Sequence, residues 1–206
     1  MRAALLAAAL ALLAATAGAQ TPERGFFLVA KPSILDPNFS RTVVLVAHAP
    51  DGATLGVILN RPTKRSLADV LPGNAQLARF TEPLRFGGPV EREGLFAVFR
   101  AETSPGQSFA VLEDVHLALH PATVEQLLLK PPAALQFFVG YAGWAPGQLA
   151  GELARGDWWI VKADAETVFR KDTSALWDEL ERRARAVTAG LPRPAPGARS
   201  ASAPGG

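Results

Sequence analysis

The sequence predicts an α+β fold, a single domain built on a strongly bent, mixed or antiparallel sheet flanked by helices. Three observations predict it. Short β-branched and aromatic runs dominate the first half of the 206-residue chain, whereas strand and helix alternate loosely in the second. The run Gly140-Tyr141-Ala142-Gly143-Trp144 alternates large aromatics with small residues, so flat rings must pack against bare backbone at a sharp crossing. There is no internal repeat, and the length fits one sizeable core.

The elements follow in order. Residues 26–30 and 42–48 are strands, separated by the turn-rich Lys31-Pro32-Ser33 and Asp36-Pro37-Asn38. Residues 43–46 are continuously apolar, as expected of a strand covered on both faces. Asp51-Gly52 makes a hairpin turn into a third strand over 54–59, which stops at Asn60-Arg61-Pro62 because proline removes a ladder donor. Ser66 caps a short helix closed by Pro72-Gly73, and Gly87-Gly88-Pro89-Val90 is a tight corner. A strand spans 95–100, and residues 109–119 supply one or two more. A helix over 121–129 follows, with Pro121 tolerated at its first position. Residues 134–141 form the most apolar strand and the expected centre of the sheet. Next come a glycine-rich turn, a short helix opened by Pro146, a strand over 157–161 and a helical C-terminus through Trp177 and Leu180.

The ends differ from this core. Residues 1–19 open with Arg2, continue as an Ala/Leu stretch over 3–15 and finish with Ala17-Gly18-Ala19. That is the layout of a secretory signal peptide cleaved after Ala19, too short in its apolar part for a stable membrane span. No cysteine follows the cleavage pattern, so a lipoprotein anchor is excluded. Residues 20–186 form the domain, and 187–206 are expected to be a disordered tail rich in Pro, Ala and Gly. The absence of cysteine removes disulfides, thiolate metal sites and cysteine nucleophiles. The net charge of +2 conceals an asymmetry: residues 20–181 hold fifteen Lys/Arg against nineteen Asp/Glu, a net of −4. The excess cations sit at the two ends, which argues against direct nucleic-acid binding by the folded part.

Several separated motifs resemble the YqgE/AlgH family of bacterial proteins. They are Gly25-x-x-Leu28-x-Ala30-x-Pro32, Asp36-Pro37-x-Phe39, Val43-Val44 with His48, and the run from Gly52 through Leu59-Asn60-Arg61-Pro62. Gly87-Gly88-Pro89-Val90 and residues 140–158 match as well, so the resemblance covers roughly 25–180. It implies a bifurcated, partly barrel-like sheet flanked by helices. Members are often labelled transcriptional regulators, with no catalytic residues attached to the name. A leader ahead of Gly25 departs from the family pattern, in which members begin near that position and look cytosolic. The expectation is therefore a non-enzymatic binding or regulatory protein, periplasmic or secreted. The alternatives are a cytosolic regulator of transcription, or an enzyme with a cryptic site near Asn60-Arg61 and Gly87-Gly88.

The candidate ligand-binding residues are Asn60, Arg61, Gly87, Gly88, Tyr141, Trp144 and Gln148. Arg61 beside Asn60 offers a forked donor set suited to a carboxylate or phosphate, and paired glycines let a ligand approach the backbone. The same cluster also arises from turn geometry alone. Gly87-Gly88 is not a phosphate loop, since no Gly-Lys-Ser/Thr follows. Tyr141, Trp144 and Gln148 could line a cleft, or could pack a strand–helix crossing. His116 and His120 have helical metal-site spacing, but the sequence around them reads as a strand, where that spacing separates side chains by about 13 Å. Ser40, His48 and Asp36 could be nominated as a hydrolase set, yet no nucleophile elbow surrounds Ser40. No catalytic residue, metal or cofactor is expected, and the partner is an unspecified protein or small molecule.

Overall fold

The computed structural model describes residues 25–48 and 53–190. The expected leader, the Asp51-Gly52 turn and the tail from residue 191 lie outside the described residues. β1 (Phe26–Ala30), β2 (Val43–His48) and β3 (Thr54–Ile58) form an antiparallel meander. Every residue of β1 and the first five of β2 are buried. Phe27, Val29, Val43, Leu45 and Val57 face one core, while Phe26, Leu28, Val44, Val46 and Ile58 face another. Cover on both faces is why these strands read as continuous apolar runs rather than alternating ones.

Helix α1 (Leu67–Val70) starts at Ser66, whose N–H and hydroxyl donate to Asp69 Oδ2 at 2.6 and 2.8 Å. Those bonds hold the Asp69 carboxyl below the usual carboxylate range. After a 3₁₀ turn at Ala75–Arg79 come β4 (Arg85–Phe86), β5 (Val90–Arg100), β6 (Phe109–Ala110) and β7 (Val115–Ala118). Helix α2 (Pro121–Leu129) has the expected bounds, with Pro121 just inside the helix. The rest comprises β8 (Leu135–Trp144), α3 (Gln148–Arg155), β9 (Trp158–Lys162), α4 (Ala165–Val168) and α5 (Leu176–Gly190).

The sheet runs β6-β7-β5-β8-β3-β2-β1-β9, with the short β4 pairing parallel to β8 and every other pair antiparallel. It curls into a half-barrel. β8 is the hinge of the curl, because its first half pairs with β5 and its last three residues pair with β3. The β5–β8 register shifts between Val90 and Leu95, and Glu91 takes a positive φ of 46° there. The curl brings the segment after β6 back to the meander, where Gly25 N–H donates to Val111 O at 2.6 Å. Helix α5 closes the inner core with Leu176, Trp177 and Leu180, and the Trp177 indole donates to Ala30 O at 2.8 Å.

Three expectations change in detail. The glycine-rich run is not a turn: β8 continues through Gly140 to Trp144, because φ of 71° at Gly140 kinks the strand without reversing it. Pro146 does not open α3; Gly147, at φ 80°, is its N-cap and Pro146 lies one residue earlier. Helix α5 runs to Gly190, past the expected start of the tail at residue 187, and Thr188 Oγ1 donates to Ala184 O at 2.9 Å within it.

Candidate functional site

Asn60 and Arg61 leave the end of β3 and tie down the loop between β1 and β2. Asn60 Oδ1 accepts from Val43 N–H and its amide donates to Arg41 O, both at 2.9 Å. Arg61 Nη2 donates to Ser40 O at 2.7 Å and to Pro37 O at 3.4 Å. These polar groups therefore serve backbone partners. Gly87 is a hydrogen-bonded bridge, donating to Val139 O and accepting from Ile58 N–H, each at 2.9 Å. A Cβ on Gly87 would overlap Gly140 O, and one on Gly140 would overlap Gly88 O. Two backbones cross there with no room for side chains. Tyr141 turns away from this crossing and packs edge-on against Phe96, with ring centroids 5.3 Å apart. Burial, reinforced by the nearby Glu91, raises its phenol above the ordinary tyrosine pKa.

Trp144 and Gln148 lie elsewhere, around one carboxylate. Glu152 sits one turn beyond Gln148 on α3, so both side chains share a helix face. Glu152 Oε2 accepts from the indoles of Trp144 and Trp158, both at 2.9 Å, and Oε1 accepts from Gln148 Nε2 at 3.0 Å. Gln148 Oε1 in turn accepts from Ala145 N–H at 3.2 Å. The tryptophans are 5% and 6% exposed, so Glu152 satisfies two indoles that water hardly reaches. Phe39 meets Trp158 edge-on at 5.8 Å and lies 6.4 Å from Trp144.

A cleft of about 230 Å³ opens over this cluster, between α3 and the loop that carries Ile34, Asp36 and Phe39. Its lining holds three carboxylates, Asp36, Glu152 and Asp157, against one guanidinium, Arg155. Arg155 is already paired with Asp157 at 2.7 Å. Among the described residues no cation forms an ion pair with Glu152. The cleft is therefore aromatic in its walls and acidic in its charge.

Residues 27–187 match the family described as AlgH-like, DUF179. The chain belongs to the AlgH-like family. It is 39% identical over 166 residues to a UPF0301 protein of Streptomyces avermitilis, covering 78% of this chain and 86% of that one. It is 36% identical over 170 residues to UPF0301 protein ML0028 of Mycobacterium leprae, with coverage of 80% and 84%. The solution structure of AlgH from Pseudomonas aeruginosa superposes with a TM-score of 0.66 at 24% identity, covering 85% of this chain and 98% of that one. The crystal structure of DIP2367 from Corynebacterium diphtheriae gives 0.64 at 27% identity, covering 85% and 90%. None of these names states an activity.

Within this AlgH-like chain His116 and His120 sit at structural positions. His116 lies on β7, stacks on Phe99 at 5.2 Å and places Nε2 3.1 Å from Ala101 O, while His120 is the N-cap of α2. Among the described residues no group of three His, Cys, Asp or Glu is placed to hold a metal ion. The seven residues named from sequence thus fall at separate places: the loop tie, the glycine crossing, the Tyr141–Phe96 contact and the α3 cleft. Glu152, Asp157 and Phe39 were given no site role from sequence. The four-residue spacing of Gln148 and Glu152, with tryptophans on both sides of the helix, was the available signal for Glu152. Nothing local pointed to Phe39, which arrives from a loop more than one hundred residues earlier.

Proposed function

We propose that this AlgH-like protein is an exported, non-enzymatic binding protein whose α3 cleft receives a cationic group, such as a protonated amine or the guanidinium of a peptide side chain. One observation carries the reading: among the described residues, the Glu152 carboxylate is held by three neutral N–H donors and by no cation. Such a carboxylate sits beside aromatic walls, where an incoming cation gains both a charge-assisted hydrogen bond and ring contacts. Asp36 at the rim adds a second attraction. Residues 25–190, through the end of α5, hold seventeen Lys/Arg against eighteen Asp/Glu, and this lack of a cationic excess supports a protein or small-molecule partner over DNA. Among the described residues no helix is long and apolar enough to cross a membrane. Export rests on the leader pattern of residues 1–19, and mass spectrometry of the native N-terminus tests it; a species retaining Met1 would refute it.

The cleft is tested by titrating the full chain with n-butylamine and n-butylguanidine while following tryptophan fluorescence. Trp144 and Trp158 report occupancy directly. Saturable quenching is expected from the cations and none from n-butyrate. Asp36→Asn, at the exposed rim, should weaken binding about 2-fold, the scale of an exposed ion pair. Equal responses to butylamine and butyrate, or none to any probe at millimolar concentration, would end this reading.

A further inference from the structure

At the opposite end of β8, a cavity of about 400 Å³ opens beside β4, with Phe80, Glu82, Phe169 and Lys171 in its lining. Its lining includes Gln136, eight residues before Trp144, or about 26 Å along an extended strand, so this cavity is distinct from the α3 cleft. Its wall contains Arg85, which is only 6% exposed. The guanidinium donates to Leu59 O through Nη1, and through Nη2 to Arg170 O at 2.9 Å and Lys171 O at 3.3 Å. Gln136, in the amide orientation that satisfies both its ends, accepts from Arg85 Nη2 at 3.3 Å and donates to Val168 O at 3.2 Å. Every one of these acceptors is neutral.

A buried charge ordinarily has a counter-charge, and among the described residues none forms an ion pair with Arg85. Glu82 is the acidic residue of the lining, and it is bound at 2.9 Å to Lys171 on the exposed rim. Burial lowers the Arg85 pKa, and Glu82 opposes that shift only in part. Arg79, Arg85 and Lys171 leave the cavity with a net positive charge against Glu82 alone. The apolar part of the wall holds Phe80 and Phe137, which meet edge to face at 5.4 Å, together with Leu135 and Phe169.

The geometry points to a binding site for a small organic monoanion, a carboxylate on an aromatic or apolar body, with its charge toward Arg85 and Arg79 and its body against Phe80 and Phe137. The carbonyls hold the guanidinium in place without neutralising it, so an entering carboxylate gains attraction while the site stays organised. A monoanion suits the cavity better than a phosphate dianion, because the aromatic wall returns nothing for the larger desolvation of the second charge. This assignment does not depend on the α3 cleft.

The test is a ligand-observed NMR titration of the full chain with benzoate, phenyl phosphate and benzylamine. Benzoate should bind saturably in the millimolar range or tighter, phenyl phosphate more weakly, and benzylamine not at all. Arg85→Met should abolish benzoate binding. Because Arg85 also ties Leu59 to residues 170–171, two gentler variants keep the test independent of folding. Ala134→Trp fills the cavity without changing charge and should abolish binding, whereas Arg79→Gln removes a rim cation and should weaken it about 3-fold. No binding of benzoate to the wild type, tighter binding of phenyl phosphate, or unchanged binding to Ala134→Trp would each overturn the proposal.

Discussion

Replacing Gly140 by alanine separates backbone conformation from backbone crowding, because the chain carries its own control. Gly140 has φ 71° and would set its new Cβ against Gly88 O, with Val90 O a further 3.0 Å contact. Gly73 has a comparable φ of 89°, yet a Cβ there would meet nothing within 4 Å. Gly73→Ala should therefore cost the left-handed conformation alone, about 1–2 kcal/mol. Gly140→Ala carries that cost plus displacement of a backbone in a packed crossing, about 1–3 kcal/mol more. The total for Gly140→Ala is then about 2–5 kcal/mol, a large share of the stability of an ordinary domain. Urea unfolding of both variants measures the difference from midpoint and slope. Costs that agree within about 0.5 kcal/mol, the error expected when independent effects are compared, would mean that the crossing of Gly88 over β8 is loose and the reasoning wrong.

Two further predictions follow from the α3 cluster and from surface ion pairs. Glu152→Ala should destabilise by about 2–4 kcal/mol, since it strands two buried indole N–H groups, and tryptophan emission should shift on folding-neutral controls far less than on this variant. An unchanged urea midpoint would show that water replaces the carboxylate. Acid should act partly through Glu179, whose pKa is lowered chiefly by its hydrogen bond from Arg170 at 2.6 Å. A depressed folded-state pKa means stabilisation that is present above the ordinary glutamate pKa and lost as pH falls through the depressed value. Glu179→Gln should therefore flatten the acid limb of the stability curve, and an identical limb in the variant would refute the assignment.

Much of the fold was legible locally. The burial of β1 and β2 on both faces was written in unbroken apolar runs, and α2 began at the proline that marked it. Ser66 and Asp69 formed the predicted helix start because capping is decided within four residues. The end of α5 was less legible, since residues 187–189 are exposed and carry no apolar periodicity to mark where the helix stops. The glycine run reads locally as a turn for a related reason. Gly140 permits a positive φ, but whether the chain then reverses or merely kinks depends on whether β3 is present to pair with residues 142–144.

The sequence by itself determined the α+β class and the buried meander, because apolar periodicity, turn residues and caps act over a few neighbours, and its separated motifs carried the family resemblance. The tertiary structure alone decided the sites. Arg85 finds its carbonyl partners 26, 85 and 86 residues away, and Phe39 reaches Trp158 from a distant loop. Such meetings depend on sheet curl and strand register, which are set by the summed packing of the whole domain rather than by any segment of it. Asn60 and Arg61 illustrate the same division: their donor chemistry was plain in the sequence, and only the fold assigned it to the loop between β1 and β2.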